Sequence, residues 1–121
     1  MKVKKGELSP VAEISDILGI SATGRKILNL LVRTKKKLSV SEIITKIKKS
    51  ERSVRAHLKV LTMLKLIRRE MTITKKGRLA YRYFVLRAGD LVKSARKETR
   101  RRLRNLEKCM EEIRGRWIPL P

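Results

Sequence analysis

Arg52, Arg55 and Lys59 follow one another at intervals of three and four residues, with the small Ala56 between them. That spacing gathers three cations along one side of a helix. Arginine is the best bidentate donor to guanine O6 and N7, and a small residue among basic ones permits close approach to a groove floor. Further on, Lys75, Lys76 and Arg78 crowd around Gly77. A cationic tip of that kind suits phosphates, or a narrow minor groove if Arg78 inserts. Ser41, Ser50 and Ser53 add hydroxyls able to hold phosphate oxygens. The chemistry spelled out is recognition of double-stranded DNA.

Bond-making chemistry is not spelled out. His57 is the one histidine and Cys109 the one cysteine, so no cluster has zinc-ligand spacing. There is no Gly-rich phosphate loop and no Ser/His/Asp set. His57 falls beside the inward side of the basic helix and is expected to be structural. Cys109 is expected to act as a small hydrophobe. Glu107, Glu111 and Glu112 fall on a solvated helix. No enzymatic activity, metal or cofactor is expected.

The balance of charge agrees. Thirty-three Lys and Arg face eleven Asp and Glu, a formal net charge of +22 in 121 residues. Such a surplus repels itself until a polyanion neutralises it. A membrane is a weaker candidate, because no apolar run approaches the roughly 20 residues of a spanning helix. The basic residues 1–5 are not followed by a signal-peptide core. A lone cysteine suits a reducing compartment, so the expected location is cytoplasmic and nucleoid-associated.

The elements that must position these side chains announce themselves through caps and periodicity. Residues 1–6 read as a basic tail. Ser9 and Pro10 mark a helix start, Val11, Ile14, Ile17 and Leu18 its stripe, and Gly19 its stop. Ser21 caps a second helix, to about residue 35, burying Ile27, Leu28, Leu30 and Leu31, with Ala22 and Val32 at the margins. Three lysines at 35–37 form a loop. Ser39 and Glu42 have capping-box spacing, and Ile43, Ile44 and Ile47 face inward after them. Ser50 caps the next helix, with Val54, Leu58 and Leu61 inward, closed by Leu64 and Leu66. Arg52, Ala56, Lys59 and Met63 point away, flanked by Arg55 and Ser53. Strands are expected over 67–72 and 79–86, joined by the basic turn.

A last helix is expected from Gly89-Asp90 to about residue 114, ended by Gly115 and Pro119, with Trp117 anchoring the tail. Its apolar positions, Val92, Ala95, Thr99, Leu103, Leu106, Met110 and Ile113, step by 3, 4, 4, 3, 4 and 3. That is a heptad seam with one stutter, and it predicts pairing with a second copy. Arg100, Arg101, Arg102 and Arg104 lie along the same helix, where they can reach the DNA backbone.

The runs Leu18-Gly19-Ile20-Ser21 and Arg25-Lys26-Ile27-Leu28-Asn29-Leu30-Leu31, then Leu38-Ser39-Val40-Ser41-Glu42-Ile43, resemble the amino-terminal domain of the archaeal TrmB family of transcriptional regulators. The resemblance continues through residues 54–66, Gly77-Arg78, Tyr81-Arg82-Tyr83 and Asp90-Leu91, covering about residues 17–113. It implies a winged helix-turn-helix dimer, with Ser50, Arg52, Ser53, Arg55 and Lys59 facing the major groove and Lys75, Lys76 and Arg78 on the wing. Larger TrmB proteins continue into a sugar-binding domain, so sugar responsiveness is not expected of a chain ending at Pro121.

The expected fold is mainly α with a small β-wing: a winged helix-turn-helix followed by a long C-terminal coiled-coil helix. Residues 1–20 form the tail and first helix, 21–87 the DNA-binding domain, and 88–121 the dimerisation helix and its tail. The expected function is a homodimeric, sequence-preferring transcriptional regulator, repressing by occupancy. Arg52, Arg55 and Lys59 are expected at base edges, and Ser41, Ser50, Ser53, Lys75, Lys76 and Arg78 at phosphates. The alternative is an architectural chromatin protein with little sequence preference. An RNA-binding component is disfavoured by the scarcity of aromatic stacking residues. A protein-docking adaptor would keep its partner after loss of Arg52 and Arg55.

Overall fold

The computed structural model describes residues 8–116; the basic tail at 1–6, Trp117 and Pro119 lie outside the described residues. Eight elements follow in order: α1 (Ser9–Leu18), α2 (Ala22–Thr34), β1 (Leu38–Ser39), α3 (Val40–Ile47), α4 (Glu51–Met63), β2 (Arg68–Ile73), β3 (Leu79–Phe84) and α5 (Ala88–Arg116). Helices at both ends and a three-stranded antiparallel sheet make this a winged helix with a long terminal helix, as the sequence pattern predicts.

The hydroxyl caps expected for α2, α3 and α4 are all present. Ser21 accepts from the Gly24 N–H, Ser39 from Glu42 and Ser50 from Ser53. The Ser39–Glu42 box is closed in both directions, at 3.2 and 3.1 Å. It satisfies two backbone donors that a helix start otherwise leaves open. α1 departs from expectation by one residue. Its cap is Leu8, with no side-chain cap bond, and Ser9 is already helical. Pro10 needs no N–H at that position, and the Leu8 N–H donates to Asn29 Oδ1 of α2 at 3.0 Å.

The helix ends carry an unusual chemistry. α1 closes on Gly19 in the left-handed region, but α2 and α3 close on Lys35 and Lys48, at φ 56° and 61°. Lys65, just beyond α4, adopts φ 60°. A side chain there costs about 1 kcal/mol against glycine. Each cation lies at the negative end of a helix dipole, which offsets part of that strain.

The core forms where α1, α2, α3, α4 and the sheet converge. Ile27, Leu28, Leu31, Ile43, Val54, Leu58, Leu61 and Ile67 are all at most 2% exposed. Each such side chain contributes roughly 1.5–3 kcal/mol of transfer free energy. Gly24 makes room for Ile20 of the α1–α2 connection against the first turn of α2: a Cβ there would lie 2.8 Å from Ile20 Cγ2, while His57 Cδ2 of α4, at 3.6 Å, would be in ordinary contact.

The sheet has the order β1-β3-β2. β2 and β3 pair from Arg68↔Phe84 to Ile73↔Leu79, while β1 adds Leu38↔Tyr83 and Ser39↔Arg82. β1 falls in a stretch expected to be only loop and helix cap. Its two residues become a strand because β3 offers a free edge and Leu38 fills the core.

α5 begins at Ala88, two residues before the expected Asp90 cap, when the Asp90 and Leu91 amides bond back to the Arg87 carbonyl. It also continues through Gly115, which therefore does not stop it. Its expected seam divides in two. Ala95 and the neighbouring Leu91 are buried in the winged domain's own core, against α1. Thr99 turns its hydroxyl back to the Ala95 carbonyl, 2.7 Å away. Leu103, Leu106, Met110 and Ile113 extend past the domain and are each half or more exposed.

Candidate nucleic-acid interface

α3, the turn at Lys48–Lys49 and α4 form the helix-turn-helix. α4 is held from behind by Val54, Leu58 and Leu61, which are buried at helical spacing. That fixes its rotation, so Arg52, Arg55, Ala56, Lys59 and Met63 all emerge exposed on the opposite side. Ser50, at its start, and Ser41, in the first turn of α3, are exposed as well.

Ser53 is placed differently. It is half-buried, with its Oγ 3.5 Å from His57 Nδ1. The His57 ring is bonded at 2.7 Å through the same nitrogen to the Ser53 carbonyl oxygen. Both residues therefore sit on the flank of α4 that meets α2, away from Arg55. His57 is a packed structural side chain, as its inward position predicts.

The wing is built on a three-residue loop. The Gly77 N–H donates to the Thr74 carbonyl at 2.9 Å, and Thr74 donates to the Arg78 carbonyl at 2.8 Å. The Thr74 hydroxyl accepts the Arg78 N–H. This geometry demands a left-handed residue before the second strand, and Gly77 supplies it at φ 74°. Lys75, Lys76 and Arg78 stand exposed at the tip.

Between α4 and the wing lies an open cleft of about 360 Å³, lined by Arg55, Lys59, Thr62, Met63, Arg69 and Tyr83. Arg69 lies over the Tyr81 ring, 4.2 Å from its centroid. Arg69 is not among the residues that helical spacing or the basic turn singles out. Its signal was the two-residue alternation that puts Arg69, Met71 and Ile73 on the sheet face shared with Tyr81 and Tyr83. On the other face Lys37 pairs with Glu70 and covers Phe84.

Few carboxylates temper this surface. The Ser39 backbone N–H, then its hydroxyl, hold Glu42 below the ordinary carboxylate range, with Arg82 and Lys36 adding to the effect. On α5, Glu98 bonds Arg101 at 2.6 and 2.9 Å and Arg102 at 2.8 Å. Those two guanidiniums lower its pKa to about 2, and in return the Arg101 pKa rises. Arg102 also reaches the Leu18 carbonyl at the end of α1, at 3.4 Å.

Among the described residues no group of three His, Cys, Asp or Glu could hold a metal ion. No helix among them is long and apolar enough to cross a membrane.

The architecture defines a class, the winged helix-turn-helix with a long terminal helix. No family model and no curated protein matches the sequence. A solved structure does match the fold, a protein described as a possible transcriptional regulator from Methanosarcina mazei Go1. The two superpose with a TM-score of 0.67 at 12% identity, over 84% of this chain and 87% of that one.

Proposed function

We propose that this chain is a sequence-preferring, double-stranded DNA-binding transcriptional regulator, acting as a homodimer and repressing by occupancy. The observation that carries it is the outer side of α4. A helix fixed from behind by Val54, Leu58 and Leu61 presents Arg52, Arg55, Ala56 and Lys59 to solvent, next to a cationic wing. The likeness in fold to a possible regulator supports it, as does the resemblance to the TrmB family.

In this proposal Arg52, Arg55 and Lys59 contact base edges in the major groove. Lys75, Lys76 and Arg78 neutralise phosphates beside the wing. Ser41 donates to phosphate from the first turn of α3. The Ser50 oxygen accepts from Ser53, which leaves its O–H to donate outward. Ser53, engaged beside His57, contributes only along the α2 flank. The exposed stripe at Leu103, Leu106, Met110 and Ile113 pairs with a second copy, while Val92, Ala95 and Thr99 belong to the stretch rooted on the domain. A cytoplasmic, nucleoid-associated location follows from a DNA partner.

One observation favours the architectural alternative. Residues 20–86 alone hold nineteen Lys and Arg against three Glu. Binding of fragmented genomic DNA against random duplex, across a range of salt, separates the two. Enrichment of a few fragments that persists near physiological salt supports a regulator. Uniform retention that collapses as salt rises supports a DNA-coating protein.

A further inference from the structure

Of the three carboxylates in residues 20–86, the fold accounts for two. Glu42 closes the capping box of α3, and Glu70 pairs with Lys37 on the sheet face carrying Phe84. The third, Glu51, stands on α4 itself, on the flank next to Arg55. Its Oε1 lies 3.6 Å from Arg55 Nη2, with the two side chains 67% and 61% exposed.

Capping does not require it. The Ser50 oxygen already accepts the Ser53 N–H, and the position from which a carboxylate would close a box is occupied by Ser53. An acid in the first turn gains only a modest dipole interaction. Against a polyphosphate, any anion at the start of this helix weakens binding. A protein that merely coated DNA would have no use for one there.

We propose that Glu51 is a specificity-determining residue of this interface, acting through Arg55; the inference rests on the DNA-binding function proposed above. The guanidinium has five donors in a rigid fork. With Glu51 as its ion-pair partner along one edge, the fork keeps another edge free for guanine O6 and N7, and the carboxylate biases the directions in which Arg55 points. Where guanine is absent, Arg55 must leave Glu51 to reach a phosphate. The uncovered carboxylate then faces the DNA backbone. Glu51 therefore penalises non-cognate duplexes more than the cognate one, as a repulsive element built for discrimination.

The test is fluorescence anisotropy with the full chain on an enriched genomic fragment and on random duplex of equal length, at fixed salt. Glu51→Gln keeps the shape and removes the charge. It is expected to tighten random duplex by about three- to tenfold. The ratio of cognate to random affinity should fall by about tenfold, the scale of one bidentate base contact, and guanine preference should broaden at one position. Glu51→Asp keeps the charge but is one methylene short of Arg55. It should leave random-duplex affinity unchanged and broaden the same position. In an Arg55→Ala background, Glu51→Gln should no longer alter base preference there. Equal tightening of both duplexes by Glu51→Gln, with every base preference intact, would overturn the role of Glu51 alone. A wild-type chain that binds all duplexes equally would overturn it together with sequence preference, and one that retains no DNA would overturn the DNA-binding function as well.

Discussion

Leu106 offers the sharpest test of dimerisation, because the winged domain makes no claim on it. It is 61% exposed, with Leu103 one turn before and Met110 one turn after on the same stripe. Full burial of a leucine is worth about 1.5–3 kcal/mol, so covering the exposed share contributes about 1–2 kcal/mol per copy. A symmetric pair loses that twice. Leu106→Ala should therefore weaken dimerisation by about 2–4 kcal/mol, a dissociation constant roughly 30- to 700-fold higher. Leu106→Asp also places a carboxylate in the contact and should abolish it. Sedimentation equilibrium over a wide concentration range measures both constants. Circular dichroism at a concentration where the wild type is monomeric provides the control, since the domain core does not include Leu106. Wild type that stays monomeric at every concentration, or a Leu106→Asp variant that pairs as well as wild type, would refute the assignment of the stripe.

Replacing Arg52 by Ala should cost about 1–3 kcal/mol on an enriched site and relax base preference at one position, measured by competition with single-substituted duplexes. Replacing Lys75 should weaken all duplexes alike and reduce the slope of log affinity against log salt by about one; a loss confined to one sequence would contradict a phosphate contact. Gly24→Ala gains about 1 kcal/mol of helix propensity but forces a Cβ to 2.8 Å from Ile20, which overpacking costs of about 1–3 kcal/mol outweigh. Urea titration should show a net loss near 1 kcal/mol, and a gain would show that Ile20 can give way freely. The Glu98 pKa falls from 4.5 to about 2 on folding, so its contribution is full above pH 4.5 and fades as pH drops toward 2. The thermal midpoints of wild type and Glu98→Gln should differ at pH 6 and converge across that window; a pH-independent gap would contradict the pairing with Arg101 and Arg102.

Local chemistry made much of the fold legible. Ser21, Ser39 and Ser50 each cap the helix their position predicts, because capping is decided within three residues. The inward set Val54, Leu58 and Leu61 follows from period alone, and with it the outward placement of Arg52, Ala56 and Lys59. Non-local features were hidden. β1 exists through its pairing with β3, over forty residues later, so no property of Leu38 and Ser39 alone reveals it. On α5, periodicity offered Val92, whereas Leu91 is the buried residue, since the position of α1 decides which face is covered. The cleft residue Arg69 required strand register, and the Glu51–Arg55 pair required weighing an acid against its surroundings. Ser53 carried the right residue type in the right helix, yet His57 and α2 claim its side of the surface.

The continuity of α5 has a geometric consequence. The helix runs unbroken for 29 residues, roughly 44 Å, and carries both the root at Leu91 and Ala95 and the stripe ending at Ile113. No hinge intervenes, so the azimuth of that stripe is locked to the azimuth of α4. One residue inserted between Thr99 and Leu103 would swing the stripe about 100° around the helix axis. Seven would restore it to within about 20° while moving it about 10 Å outward. Whatever rests on the stripe is thereby held at a set angle and distance from Arg52 and Arg55, and insertion length tunes the two separately.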